Sequence, residues 1–209
     1  IHENYDLLLE YDLRITGEVT LRIIHSLAGL PGSETENIKR IFSVPQVSRE
    51  CRQFLDLHPE WELIPAKNTT AAALILKQEN NPDSAAITSR EFAEANGLQV
   101  MEEGIETNPR NFNRYIVIAS DPVKKDKMSK KSSLVFSSVN KPGALLDCLQ
   151  VFSDKGINMV KLESRPIHGK PWEYMFYVDF EADAESESFA PVMDSLKKKT
   201  DFIKILGTY

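Results

Sequence analysis

Asn140-Lys141-Pro142-Gly143-Ala144-Leu145-Leu146 and, further on, Leu162-Glu163-Ser164-Arg165-Pro166 organise the C-terminal part of this chain, Ser132 to Tyr209. Pro142-Gly143 opens an apolar run of helical period, so the free N–H groups and positive end of that helix face the turn, a setting that suits a carboxylate. Glycine at 143 places no side chain in the way of such a group. Around this helix (145–155, ended by Gly156) the pattern reads strand (133–139), helix, strand (159–165), a turn at His168-Gly169-Lys170-Pro171, and strand (174–181). A last helix carries Phe189, Val192, Met193 and Leu196 at i, i+3, i+4 and i+7, and a strand (203–206) follows. The order is βαββαβ. A sheet of this size leaves an edge that pairing with a second copy would cover.

Upstream, Asn4 to Tyr11 suits a short amphipathic helix, and 13–19 and 20–24 alternate apolar with polar residues as two half-buried strands do. Leu27 to Thr35 holds Gly29, Pro31 and Gly32 and reads as a loop. Val47, Cys51, Phe54 and Leu55 fall on one face of a helix ending near Leu57. Trp61 to Ala66 reads as a strand, and Thr69-Thr70-Ala71-Ala72-Ala73 starts a helix with hydroxyls suited to capping. Strand (85–88), helix (90–96, closed by Gly97) and strand (99–101) follow, then Asn111-Phe112-Asn113-Arg114-Tyr115 feeds another strand. This alternation predicts a mainly parallel α/β layer over residues 1–120. Lys124, Lys125, Lys127, Lys130 and Lys131 mark 121–131 as a solvated linker before the unit at 132–209.

With 209 residues, 42% of them hydrophobic, the chain can bury two modest cores. A net charge of -6 argues against nucleic acid as a partner, and no apolar run has the length of a membrane span. Cys51 and Cys148 stand apart in apparent helices and read as free thiols of a reducing compartment, which predicts a cytoplasmic protein. Ile1-His2-Glu3-Asn4 resembles neither a signal peptide nor a natural start, so a piece of a longer protein is expected. His2, His25, His58 and His168 are scattered without ligand spacing, so no metal site is expected. Asp179 and Glu181 share a face of what reads as an edge strand, where solvation is the expected role. Trp61 and Trp172 are expected to pack against the core or loops.

The two C-terminal motifs resemble the ACT domain appended to prephenate dehydratases, a ferredoxin-like α+β unit. The likeness extends upstream through Leu7-Leu8-Leu9-Glu10-Tyr11, Ile15-Thr16-Gly17-Glu18-Val19, Ser43-Val44-Pro45-Gln46, Thr69-Thr70-Ala71-Ala72-Ala73 and Asn111-Phe112-Asn113-Arg114-Tyr115, and it ends on Ile205-Leu206-Gly207-Thr208-Tyr209. The resemblance implies a catalytic part built as two α/β lobes, like periplasmic binding proteins, with substrate in the cleft. It implies L-phenylalanine as feedback effector, held by Asn140, Pro142, Gly143, Ala144, Leu145, Leu146, Glu163, Ser164, Arg165 and Pro166. A homodimer or homotetramer, paired through the ACT domain, is expected.

The family converts prephenate into phenylpyruvate with loss of carbon dioxide and water and uses no metal or organic cofactor, because aromatisation drives the reaction. The protein then has to hold two carboxylates and help the hydroxyl leave. The implied catalytic residues are Gln46, Thr69, Thr70, Asn113, Arg114 and Tyr115, with Arg114 neutralising carboxylate charge and Gln46, Thr69, Thr70 and Asn113 offering neutral donors that orient the ring; the alternatives are a surface ion pair for Arg114 and a helix cap for Thr69 or Thr70. This chain departs from the family pattern at Val44, Thr69, Asn113 and Tyr115, where the family commonly has histidine, serine, threonine and phenylalanine. The segment bearing the family's Pro-Ile-Glu-Asn motif is expected to precede Ile1. Asn113 separates the dehydratase reading from its alternative, an amino-acid-binding regulator without catalysis. Arogenate, a close variant of the substrate, is a further alternative.

Overall fold

The computed structural model describes residues 3–120 and 130–209; Ile1, His2, Lys124, Lys125 and Lys127 lie outside the described residues. The chain divides into two compact units, one of residues 20–113 and one of residues 1–19 with 114–209. Helix α1 (Glu3–Glu10) and strand β1 (Arg14–Arg22) open the chain, and β1 pairs with β7 (Phe112–Ala119). The chain passes from one unit to the other within each of these two strands. Where two strands were expected over 13–24, there is one, because its alternation runs through Thr20 without a turn residue.

The unit of 20–113 contains strands β2 (Ser26–Gly29), β3 (Arg40–Ser43), β4 (Glu62–Pro65), β5 (Ser84–Thr88) and β6 (Gln99–Glu103), in the order β4-β3-β5-β2-β6. Its helices are α2 (Pro45–Glu50), α3 (Arg52–Leu55), α4 (Thr69–Glu79) and α5 (Arg90–Ala95). Alternate residues of each strand serve opposite faces. Leu27, Ile41, Ala85 and Ile87 join Val47, Cys51 and Leu55 in one core, while Ala28, Phe42 and Ala86 join Ala72, Ala73 and Leu76 in the other.

The unit of 20–113 differs from the sequence-based expectation in four ways. The sheet is mixed, since β3 is parallel to β4 and β5 but β2 is antiparallel to both β5 and β6. The reason is β2 itself, whose residues 27–29 were expected to belong to a loop. Gly29 there serves close packing rather than a turn, because a Cβ on it would meet the Met101 sulfur at 2.6 Å. The helix expected over 47–57 is two short ones, interrupted at Cys51, whose φ of -101° and ψ of 19° are not helical. The hydroxyls of Thr69 and Thr70 do not cap α4. Asn68 does, its side chain accepting from the Ala71 N–H at 2.7 Å.

The remaining elements are β8 (Ser132–Ser137), α6 (Ala144–Asp154), β9 (Met159–Pro166), β10 (Tyr174–Phe180), α7 (Ala190–Lys197) and β11 (Phe202–Thr208). They form the expected βαββαβ unit, an antiparallel sheet in the order β11-β8-β10-β9. Leu134, Phe136, Val178 and Phe180 face α6 and α7, which contribute Phe152 and Leu196. On the opposite face Val135, Tyr177 and Leu206 meet Leu8 of α1 and Ile15 of β1. The strand bearing Asp179 is interior, not an edge, and Asp179 is 6% exposed.

Candidate active site and effector site

Strands β3 and β4 run parallel, and Gln46 and Thr69-Thr70 stand at the starts of the helices that leave their carboxyl ends. The Ala66 N–H donates to the Ser43 carbonyl at 2.9 Å and holds those two ends together. The chain after β3 enters α2 and α3 on one face of the sheet, and the chain after β4 enters α4 on the other. In open α/β sheets the carboxyl edge at such a divergence is the common ligand position. Thr69 is half-buried and Thr70 exposed at this edge.

Glu50 is the hub of this part of the molecule. Its carboxylate accepts from Gln46 Nε2 at 2.9 Å, from Asn111 Nδ2 at 3.1 Å and from His25 Nε2 at 2.8 Å. Its backbone carbonyl accepts from the Thr107 N–H at 2.7 Å. An ionised carboxylate only accepts, so the amide nitrogens of Gln46 and Asn111 face Glu50 and their orientation is determined. Burial alone would raise the Glu50 pKa, but hydrogen bonds from His25, Gln46 and Asn111 and the charge on His25 outweigh it and hold the group ionised below its ordinary range. The neighbouring Cys51 thiol is pushed up to about 12, chiefly by burial and then by Glu106 and Glu50, so it is no nucleophile.

Alternation along β7 puts Asn113 and Tyr115, both exposed, on one face and Arg114 on the other. Arg114 Nε donates to Glu18 at 2.5 Å, Nη1 to Asp179, and Nη2 to the Tyr209 hydroxyl at 2.6 Å. Lys131 also reaches Glu18, at 2.7 Å. Two carboxylates therefore already match the charge that the sequence reading reserved for substrate. The sequence reading also missed His25, Glu50 and Asn111 as a group and took Asp179 for a solvated carboxylate. The only sequence signal for the first group was the i, i+4 spacing of Gln46 and Glu50.

At the other end of the βαββαβ sheet, Gly143 stands at the start of α6 with a φ of 83°, a conformation that strains any residue with a Cβ. Asn140, Ala144 and Leu145 line a pocket of about 90 Å³ with Trp172, Tyr174 and Phe176. Arg165 and Pro166 line another, of about 510 Å³, and Trp172 borders both. Ser164 pairs with Phe176 and Glu163 with Tyr177 across β9 and β10, so both motifs flank the start of β10. Leu146 is 64% exposed and Pro142 is exposed.

Residues 1–123 match the prephenate dehydratase family and residues 132–197 the ACT domain. The chain belongs to the prephenate dehydratase family. Its similarity to the bifunctional chorismate mutase/prephenate dehydratase of Escherichia coli (strain K12) is 37% identity over all of this chain and 54% of that protein. Arogenate dehydratase/prephenate dehydratase 6, chloroplastic, of Arabidopsis thaliana is 34% identical over the same shares. The chain thus spans about half the length of the curated relatives it matches. Among solved structures, the prephenate dehydratase of Arthrobacter aurescens in complex with L-Phe superposes with a TM-score of 0.87 at 29% identity, covering 100% of this chain and 69% of that one. The prephenate dehydratase fold and the ACT fold are those expected from the motifs. Among the described residues no helix is long and apolar enough to cross a membrane.

Proposed function

We propose that this chain supplies a prephenate dehydratase, a cytoplasmic lyase of phenylalanine biosynthesis, whose ACT domain binds L-phenylalanine as a feedback inhibitor. In family terms we place the catalytic part at 1–120, the linker at 121–131 and the ACT domain at 132–209. The observation that supports the reading most is that Gln46 and Thr69-Thr70 open the helices leaving the carboxyl ends of the paired strands β3 and β4, with Gln46 bonded to Glu50, which also holds Asn111.

The ring carboxylate of prephenate leaves as carbon dioxide, its bonding pair enters the ring, and the hydroxyl leaves opposite, taking up a proton to become water. Gln46, Thr69, Thr70 and Asn113 supply neutral hydrogen-bond donors to carboxylate and leaving hydroxyl, and Tyr115 shares the face of Asn113. An asparagine amide polarises the departing hydroxyl but does not release a proton readily, so the proton comes from water or a neighbouring hydroxyl. In the ACT domain the effector's carboxylate meets the backbone around Gly143 and its ring the wall of Trp172, Tyr174 and Phe176. A pocket of about 90 Å³ is smaller than the several hundred Å³ usual for an enclosing ligand site, which favours a shared site completed by a second copy in a homodimer or homotetramer.

The test is turnover of prephenate and of arogenate by the full-length protein in its natural, Asn113→Ala and Asn113→Thr forms, with calorimetry of L-phenylalanine against alanine. Loss of one preorganised donor in Asn113→Ala should cost about a hundredfold in turnover. An inactive natural protein with an active threonine form would favour the regulator reading, and no heat with phenylalanine would remove the effector assignment.

A further inference from the structure

We propose that Asp179, a carboxylate of the ACT sheet, is a positioning residue for the dehydration reaction, holding Arg114 and through it the adjoining Asn113. The inference rests on the dehydratase reading given above.

The geometry forms a closed ring of hydrogen bonds. Arg114 Nη1 and the Ser133 hydroxyl both donate to Asp179. Because Ser133 spends its hydrogen on Asp179, it accepts from the Tyr209 hydroxyl, 2.8 Å away, and Tyr209 in turn accepts from Arg114 Nη2 at 2.6 Å. Only this hydrogen arrangement satisfies every member. Burial, more than any neighbour, pushes the Tyr209 phenol up to about 12, so it keeps the hydrogen the ring requires. A fully satisfied ring in a low-dielectric setting is stiff, and breaking one member leaves the others with unmet polar groups.

The ring's members come from β7 (Arg114), β8 (Ser133), β10 (Asp179) and the C-terminal Tyr209. Glu18 of β1 grips the remaining guanidinium edge at 2.5 Å and is itself held by Lys131 at 2.7 and 2.9 Å. Arg114 is thereby fixed on one face of β7, and alternation directs Asn113 and Tyr115 to the other. The start of β10, at Tyr174 and Phe176, lines the effector turn, while Asp179 sits near its far end, about 17 Å on at roughly 3.3 Å per residue. One strand therefore joins the effector wall to the carboxylate that sets Arg114.

The experiment compares the full-length natural protein with Asp179→Asn, Asp179→Glu and Ser133→Ala. In Asp179→Asn turnover of prephenate should fall on the order of ten- to a hundredfold, as a misplacement of up to about 1 Å of a reacting group can cost. KM should stay within about threefold, since Asp179 is not assigned to substrate. Heat of L-phenylalanine binding should persist, and Asp179→Glu should recover part of the turnover. Ser133→Ala, which keeps both charges, should show a smaller fall and serves if Asp179→Asn does not fold. Natural turnover in a folded Asp179→Asn protein, or in Ser133→Ala where the first is lost, would overturn the proposal. If the natural protein does not turn over prephenate, the dehydratase reading fails and the catalytic part of this proposal with it, while hydrogen exchange still decides whether Asp179 holds Arg114 and β7. Amides of 112–119 should then exchange faster in the variants while those of 84–88 do not, and equal exchange in both segments would overturn it.

Discussion

The two sheets of this molecule handle polar groups in opposite ways. In the unit of 20–113 both faces of the sheet are dry: Leu27, Ile41 and Ile87 serve one core and Phe42 and Ala86 the other. Its polar chemistry is displaced to strand ends and the loops beyond them, where Glu50 gathers His25, Gln46 and Asn111. In the βαββαβ sheet the face covered by α6 and α7 holds an apolar core, and the other buries Val135, Tyr177 and Leu206 against Leu8 and Ile15. That other face also carries the Arg114 ring in its midst, with Asp179 and Ser133 buried on neighbouring strands. A sheet covered on both faces by helices has nowhere to solvate a charge except at its edges. One whose second face receives two connecting strands can hold charges there, provided each finds a partner.

Phe42→Ala is the strongest test of that contrast. Phe42 is fully buried between β3 and α4, so its truncation should cost about 4 kcal/mol in urea denaturation. A cost under about 1 kcal/mol would mean that this face is not the dry core described. Asn68→Ala probes the displaced polar chemistry instead. Removing the cap of α4 should cost about 1 kcal/mol in the same measurement and should shift Thr69 and Thr70 with the first turn. A variant indistinguishable from the natural protein would show that the turn is held by other contacts.

The smallest effect concerns acid. Glu18 and Glu50 are both held below the ordinary glutamate range, in each case against burial, which raises the pKa. Hydrogen bonds and charges of Lys131 and Arg114 lower the first, and hydrogen bonds from His25, Gln46 and Asn111 lower the second. A depressed carboxylate contributes stability that is complete above its unfolded pKa and is lost as pH falls through the folded one. Stability should therefore decline on the acid side of the glutamate range, and Glu18→Gln and Glu50→Gln should each flatten the decline. Because cations hold Glu18 while neutral amides and His25 hold Glu50, added salt should weaken the Glu18 share more. An acid limb unchanged in both variants would count against the pairing described.

Much of the C-terminal fold was legible in the sequence because its signals are local. A helix of period 3.6 flanked by alternating strands and marked by Gly143 and Gly156 needs no distant partner to be recognised. Upstream, Gly29 misled, since a glycine in a turn and a glycine beneath a neighbouring side chain look the same in one dimension. Thr69 and Thr70 misled likewise, because three adjacent residues can all cap and backbone geometry chose Asn68. Of the candidate site, Gln46, Thr69, Thr70 and Asn113 were legible through motifs, whereas Glu50 carries no motif of its own.

By itself the sequence determined the βαββαβ order of the C-terminal unit, the glycine turn that opens its first helix and the family. Only the tertiary structure decided which charges meet. Arg114 finds Glu18 96 residues before it and Asp179 65 residues after it, and Asn111 finds Glu50 across 61. Periodicity and turn chemistry act between neighbours and can be read along the chain. The pairing of buried charges depends on which strands the fold lays side by side, and an ion pair is strong only where that packing removes water.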